Sequence, residues 1–291
     1  MNKTGSLYMK DRRMGLVMSM PMCIFTFLFV VLPFIYMIVL SFMTKDGIWE
    51  TKAIFTFKNY KNIFEPIYFQ TILTSVKLAF ISTAVMILIG YPFGYFMARL
   101  SAGWKKTMML LLMLPFWTSA LIRMYGWIII LRTDGLLDTL LMRLHITEEP
   151  LKLLYTYPAV VTGLVYGLLP FMIFSVYSSA EKMDWGLVEA ARDLGASSWK
   201  AFSTITFKMT LPGLLSGIVL TFIPSVGLFF IADILGGNKV VLIGNLIQDQ
   251  MLKVHDLPFA AALSVVLSIV TGIILWLTQK ISKSKELEGI L

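Results

Sequence analysis

Cysteine is nearly absent. Cys23 stands alone among 291 residues, so an internal disulfide and a thiolate metal cluster are both excluded. Histidine is almost as scarce. His145 and His255 lie far apart in polar segments and offer no metal-ligand spacing. Charge is thin as well, at 14% of residues, where ordinary globular chains carry about 25%. The chain shows no P-loop, no GxSxG, no HExxH and no paired carboxylates at useful depth. It has no motif with which to bind ATP and no catalytic set, so neither an enzyme nor a resident cofactor is expected. Sequence repeats, Gly/Ser linkers and low-complexity tracts are missing too.

What abounds is apolar surface, at 57% of residues, more than a soluble domain needs. A polytopic membrane protein is the default. Uncharged runs occupy 14–43, 78–98, 107–122, 153–180, 209–232 and 257–279. About 20 helical residues cross a hydrocarbon layer of about 30 Å. Five runs meet that length. The third is cut at Arg123 and resumes as MYGWIIIL to Leu131. Six transmembrane helices are expected, and β-barrel spans are excluded because alternation is lacking. The first run is too long for a cleaved signal peptide and has no A-x-A-like site, so it reads as an uncleaved helix.

The net charge of +8 is read as membrane orientation rather than nucleic-acid binding. With the basic tail 1–13 inside, the inner segments hold 14 Lys and Arg over 61 residues, against 10 over 87 residues outside. Both termini are therefore expected in the cytoplasm. The longer outer segments carry weak amphipathic pattern, as in LLDTLLMRL at 136–144, suited to short surface helices.

Pro115, Pro170, Pro212 and Pro224 fall inside or at the start of spans. Proline removes a backbone donor and kinks a helix. Such kinks are either ordinary membrane-helix features or the bends of helices that line a path. Pro224, with Ser225 and Gly227, makes the fifth span the best candidate for a bent, pore-lining helix. Arg123, 16 residues after Thr107, is expected about 24 Å along its helix, snorkelling near the outer face. Asp233, 21 residues after Pro212, is placed about 32 Å along, at the outer mouth. It is either a solvated helix end or an acidic element for a cation. Phe116, Trp117, Tyr125, Trp127, Phe229 and Phe230 cluster at that level. They read as an interfacial belt, or as a cation–π lining suited to an alkylammonium substrate.

The inner loop 181–211 is different in kind. Asp184 is a plausible N-cap, 185–194 a short helix, and Gly195 its C′ residue. Ser197 or Ser198 caps a second helix running through Trp199 and Phe202 toward Pro212. Ala190, Ala191 and Gly195 are small enough for a partner backbone to approach. Glu189, Arg192 and Asp193 place charge beside that small surface.

Glu189-Ala190-Ala191, three residues, then Gly195 resembles the EAA motif of type I ABC importer permeases. Ile205 fits the continuation of that motif. Phe207 and Lys208 stand where Leu-Pro is usual, and Leu211-Pro212 come four residues later. PFWTSALIRMYGW (115–127), LVYGLLPFM (164–172), EAARDLGAS (189–197), GLFFIADILGGNK (227–239) and LIGNLI (242–247) are together similar to the spermidine/putrescine branch of that family.

The resemblance implies an all-α, six-helix MetI-like fold. It divides the chain into a tail (1–13), a first helix with its outer segment (14–70), a five-helix transmembrane type-1 domain (71–279) and a tail (280–291). It implies a half-channel for polyamines in a bacterial inner membrane. The partners implied are a second, homologous permease, two ATPase subunits that hold ATP and Mg, and an extracytoplasmic polyamine-binding protein. Glu189, Ala190, Ala191, Arg192, Asp193 and Gly195 would form the ATPase-coupling helix. Trp117, Tyr125, Pro224, Phe229, Phe230 and Asp233 are the candidates for the path, on charge and position alone. Two other classes are weighed. A stand-alone secondary transporter needs midplane acidic residues, and the uncharged runs supply none. A membrane enzyme or scaffold needs a catalytic set or a large soluble domain. A different small substrate within the ABC class remains open.

Overall fold

The computed structural model describes residues 19–288, with side chains left aside at 238 and 281–288. The tail 1–13, and 289–291 of the tail 280–291, lie outside the described residues. The chain forms two compact units: the described residues up to 64 together with 249–266, and 65–248 with 267 onward.

In the first unit, α1 (Ser19–Ser41) carries a long apolar run. A two-stranded hairpin comes next, β1 (Thr44–Lys45) against β2 (Thr51–Lys52), and then α2 (Lys58–Ile63). Asn59 on α2 is buried and donates to the carbonyls of Ser41 and Met43, each at 2.9 Å. The last carbonyls of a helix lack partners within it; Asn59 supplies one at the end of α1. Phe42, Phe55, Phe57 and Tyr60 pack as rings around that junction. Trp49 rests on His255, with ring centroids 4.5 Å apart, and Lys45 Nζ donates to the Val254 carbonyl at 2.7 Å. Short surface helices are the sequence expectation for the outer segments. The hairpin lies outside that expectation, because its two-residue strands are too short to show alternation.

The second unit holds the membrane core. α3 (Pro66–Ala98) starts on a proline, whose fixed φ and missing N–H suit a helix start. α4 (Ala102–Met113) runs into a single tight turn, Leu114–Trp117, and α5 (Ala120–Leu131) leaves it. α6 (Leu136–Arg143) realises the amphipathic pattern at 136–144. Its Asp138 is buried and accepts from the backbone N–H groups of Asp134 and Leu151, at 3.0 and 3.1 Å. Beyond it lie α7 (Tyr157–Glu181), the short helix α8 (Gly186–Asp193) and the long helix α9 (Ser198–Gly227). A short helical segment at 229–236, α10 (Ile243–Leu252) and α11 (Leu257–Glu288) complete the chain.

α3, α7 and α9 pack together through Met86, Leu168, Met172, Val176, Leu211 and Leu214. In a bilayer, helices associate by close packing rather than by exclusion of water, and small residues make it feasible. A Cβ on Gly94 would fall 2.8 Å from the Ile173 carbonyl, and one on Gly213 would fall 2.5 Å from the Ser175 carbonyl. α7 is thus flanked closely on both sides. A second core of Leu78, Met124, Leu131, Val160, Leu164, Ile231 and Leu235 fixes α5 and the 229–236 segment against α3 and α7.

Among the described residues five helices are long and apolar enough to cross a membrane, and the bent pair of the third run, counted as one broken span, brings the number to six. That third run is not one straight helix to Leu131. Its halves meet at 93°. Pro115 lies in the turn, and Thr118 and Ser119 leave the helical region between the halves.

Candidate coupling segment and translocation path

The segment 184–201 is built from bonds between near neighbours. Asp184 Oδ1 accepts from the Gly186 N–H at 2.9 Å and opens α8. At the other end Gly195 N–H donates to the Arg192 carbonyl at 2.9 Å, and Ala196 N–H to the Ala191 carbonyl at 3.0 Å. This pair of bonds is a Schellman closure, which needs a left-handed residue. Gly195 has φ +87°, and a Cβ there would meet nothing within 4 Å of the chain. Ser197 Oγ accepts from the Lys200 N–H at 3.3 Å and starts α9. The anticipated helix, turn and helix are therefore all present.

α9 does not break at Pro212. A π turn at Phe202–Thr206 holds Ile205, and the helix then continues as one span to Gly227. A π turn widens the helix by one residue and re-aims the turns beyond it. The displaced Leu211-Pro212 thus lies within a continuous helix, and the return into the span is made upstream of it.

The outward surface of this segment is apolar and unpartnered: Leu194 is 90% exposed and Trp199 76%. Glu189, Ala190 and Asp193 are exposed beside them, while Ala191 is half-buried. Inward, a cleft of about 580 Å³ separates the segment from the ends of α3 and α4. Arg99 lines it. The guanidinium carbon lies 5.3 Å from the Trp185 ring and 5.9 Å from that of Tyr95. Tyr95 in turn contacts Trp185 and Phe202. A cation between aromatic faces thus joins the end of α3 to both flanks of α8. Arg192 reaches Ser198 Oγ at 3.3 Å. Lys105 Nζ and Glu181 form an ion pair at 2.8 Å beside the cleft. Nothing in the sequence singles out Arg99, Tyr95 and Lys105, because their contacts cross between distant segments.

At the other end, Trp117 occupies the turn of the bent span and is 81% exposed; Tyr125 is exposed too. Phe229, Phe230 and Pro224 are half-buried. α9 stops at Leu228, four residues beyond Pro224, and 229–236 starts a new direction. Asp233 is exposed, and its Oδ1 accepts from Asn245 Nδ2. Asn245 is buried. It also donates to the Phe229 carbonyl at 3.1 Å and accepts from Leu242 N–H at 2.9 Å. Asn245 therefore brings Asp233 and Phe229 together. Sequence reasoning misses it, because an amide inside LIGNLI has no charge to mark it.

Arg123 is half-buried. Its guanidinium carbon lies 5.0 Å from the Phe116 ring and 5.9 Å from the Tyr166 ring. Tyr166 stands about 14 Å along α7 from its start at Tyr157. Counting residues from Thr107 presumes a straight helix, and the 93° bend removes that premise.

Apolar helices of membrane-crossing length, a bent third run and a short polar helix between the fourth and fifth define a class of membrane permease. Residues 90–284 match the family model of the binding-protein-dependent transport system inner membrane component, and the chain belongs to that family. Its curated relatives include the spermidine/putrescine transport system permease protein PotB of Escherichia coli K12, 43% identical over 265 residues, 90% of this chain and 96% of that one. PotB of Haemophilus influenzae is 39% identical over 255 residues, 88% of this chain and 89% of that one. Among solved structures, a bacterial alginate ABC transporter in complex with its pentasaccharide-bound periplasmic protein has the same fold. It gives a TM-score of 0.74 at 17% identity, covering 94% of this chain and 96% of its own. The inward-facing MetNI methionine ABC transporter gives 0.57 at 18% identity, covering 76% and 98%. The fold is therefore the all-α type I ABC importer permease fold.

Proposed function

We propose that this chain is one permease subunit of an ATP-driven, binding-protein-dependent importer and forms half of its path for spermidine or putrescine. The single observation that carries this reading is the 43% identity to PotB over 90% of the chain. The exposed short helix α8, closed by Gly195, supports it, because a subunit with no nucleotide motif needs a place to receive motion from one that has it.

The partners are a second, homologous permease, two ATPase subunits and an extracytoplasmic polyamine-binding protein. ATP and Mg are held by the ATPase subunits. The membrane is the bacterial inner membrane, with both termini in the cytoplasm. Glu189, Ala190, Ala191, Arg192, Asp193 and Gly195 form the docking surface. When the ATPase subunits close, α8 moves as a rigid piece, since its caps tie it to itself. Arg99 and Tyr95 pass that motion to α3, and the uninterrupted α9 carries it into the bundle. Two packings a few kcal/mol apart suffice for alternating access, biased by ATP on one side and the loaded binding protein on the other. Trp117, Tyr125, Pro224, Phe229, Phe230 and Asp233 line the outer part of the path.

Purification of the chain from its native membrane tests this reading. It is expected to bring down an ATPase and a second permease. ATP hydrolysis of that assembly should then rise with polyamine when the binding protein is present. Extraction of the chain alone, or hydrolysis indifferent to polyamine, overturns it.

A further inference from the structure

A groove of about 390 Å³ runs between α7 and α9. Ser175, Ser178 and Ser179 line it from α7, Ser216 lines it from α9, and the rings of Phe171 and Phe174 complete the wall. Among the described residues no Asp, Glu, Lys or Arg lines it. Serine inside a membrane helix commonly returns its hydroxyl to a backbone carbonyl one turn back. Ser216 does so, donating to the Pro212 carbonyl at 2.9 Å and keeping its lone pairs. Among the described residues, Ser175, Ser178 and Ser179 form no hydrogen bond through their hydroxyls. A row of unsatisfied hydroxyls facing lipid is costly, because hydrocarbon offers no partner. This wall therefore faces water or a polar ligand.

A second observation says what kind of ligand. Phe171 meets Phe116 edge to face, with centroids 5.5 Å apart at 80°. The Phe116 ring, at that end of the groove, carries the Arg123 guanidinium 5.0 Å from its centroid. Arg123 Nε is buried with no hydrogen-bond partner, and no carboxylate pairs with the side chain among the described residues. The ring that adjoins the Phe171 end of the groove thus already holds a cation by ring faces alone, within a membrane span, where an ionised group belongs beside a polar cavity.

We infer that this groove is an ammonium track in the inner half of the path. Hydroxyl oxygens accept the N–H groups of an alkylammonium chain, and Phe171 and Phe174 cover its methylenes. Neutral acceptors and ring faces, with no fixed carboxylate, hold a polycation weakly enough to release it. Arg123 stands at the entrance and repels the charge inward. The inference rests on the polyamine reading.

Cysteine scarcity makes the test direct. With the lone Cys23 replaced by Ser, Ser178→Cys and Ser216→Cys each place one thiol of this chain in the groove, in side chains of nearly native size. Leu88→Cys, on an exposed apolar position of α3, is the control. The complete importer, reconstituted with binding protein and turning over ATP, is treated with a quaternary-ammonium methanethiosulfonate. Both groove thiols are expected to react and the control is not. Saturating spermidine should slow the groove reactions at least about fivefold, the competition that a desolvated cation–π contact supplies. Failure of both groove thiols to react overturns the inference, since a partner helix or lipid then fills the groove. So does reaction without protection while the parent importer takes up spermidine. A parent importer that takes up neither spermidine nor putrescine removes the polyamine reading itself, and the ammonium track falls with it.

Discussion

The segment 184–201 is held by bonds to its own neighbours in sequence, whereas the bent third span, 102–131, is held by residues far away. α8 is opened by Asp184 and closed by Gly195, and Ser197 starts α9, each within a few residues of the group it bonds. The third span is fixed by Phe116 on Phe171, Arg123 and Trp127 on Tyr166, and Met124 in the core with Leu164 and Leu235. The first construction can move without changing shape. The second takes its shape from what surrounds it. A subunit that receives motion at one end and shapes a path at the other uses both.

Gly195→Asp should have the largest effect and should act through the first construction alone. An L-residue held at φ +87° costs about 1 kcal/mol, and Asp tolerates that region better than most. Its side chain meets nothing in this chain, so the fold has no reason to fail. Loss must come from the docked partner. Uptake by the complete importer is expected to fall at least about tenfold, the size of a 1.4 kcal/mol penalty at the docked state, with membrane level unchanged and Tm lowered by no more than about 2–4 °C. A large drop in Tm would place the defect in folding instead and dissolve the contrast.

Asn245→Leu should do the reverse. It strips partners from the Phe229 carbonyl, Asp233 and the Leu242 N–H at a buried position. Leaving the Leu242 N–H and the Phe229 carbonyl unmade costs about 1–3 kcal/mol each, while water solvates the exposed Asp233. Tm of the purified assembly is expected to fall, and uptake to fall with it. Unchanged Tm beside lost uptake would move Asn245 from scaffold to path.

The same contrast explains what the sequence could reveal. The caps of α8 are legible because each one is a short-range pattern with a known chemistry. The six spans are legible as uncharged runs, and the surface helix at 136–143 as an amphipathic one. The 93° bend is only half legible: Pro115 signals an interruption, but its angle depends on Phe171 and Tyr166, about 50 residues away. Counting residues along a straight helix therefore does not fix the depth of Arg123. The serine face of α7 is hidden for another reason. Counting charge treats serine as apolar, and the spacing of Ser175, Ser178 and Ser179 along one helix face becomes informative only once α9 is seen opposite.

Arg99→Ala probes the joint between the two constructions. Arg99 is exposed, and a cation over two rings at such a site contributes about 0.5–1 kcal/mol. Removing it should leave α8 capped and docked but less firmly tied to α3. The expected readout is more ATP hydrolysed per polyamine imported, with hydrolysis itself preserved. Arg99→Lys should recover part of the ratio, since it keeps the charge and loses only the planar stacking. Equal losses of hydrolysis and uptake would mean that Arg99 serves docking rather than transmission.

The smallest effect is expected at Lys105 and Glu181, which join the start of the bent span to the end of α7. The pair has good geometry, with Lys105 Nζ at 2.8 and 3.0 Å from the two carboxylate oxygens. Its side chains are nevertheless 20% and 39% exposed. Water therefore solvates either partner when the other is lost, and pairs of this kind contribute about 0–1 kcal/mol. Lys105→Met should shift Tm slightly and leave the ratio of ATP to polyamine alone. A double-mutant cycle with Glu181→Gln isolates the pair from the packing of the lysine stem. A coupling energy above that of the Arg99 contact would reverse the order. The entrance to the bent span would then be a second joint, and the third span would be driven directly rather than shaped by its surroundings.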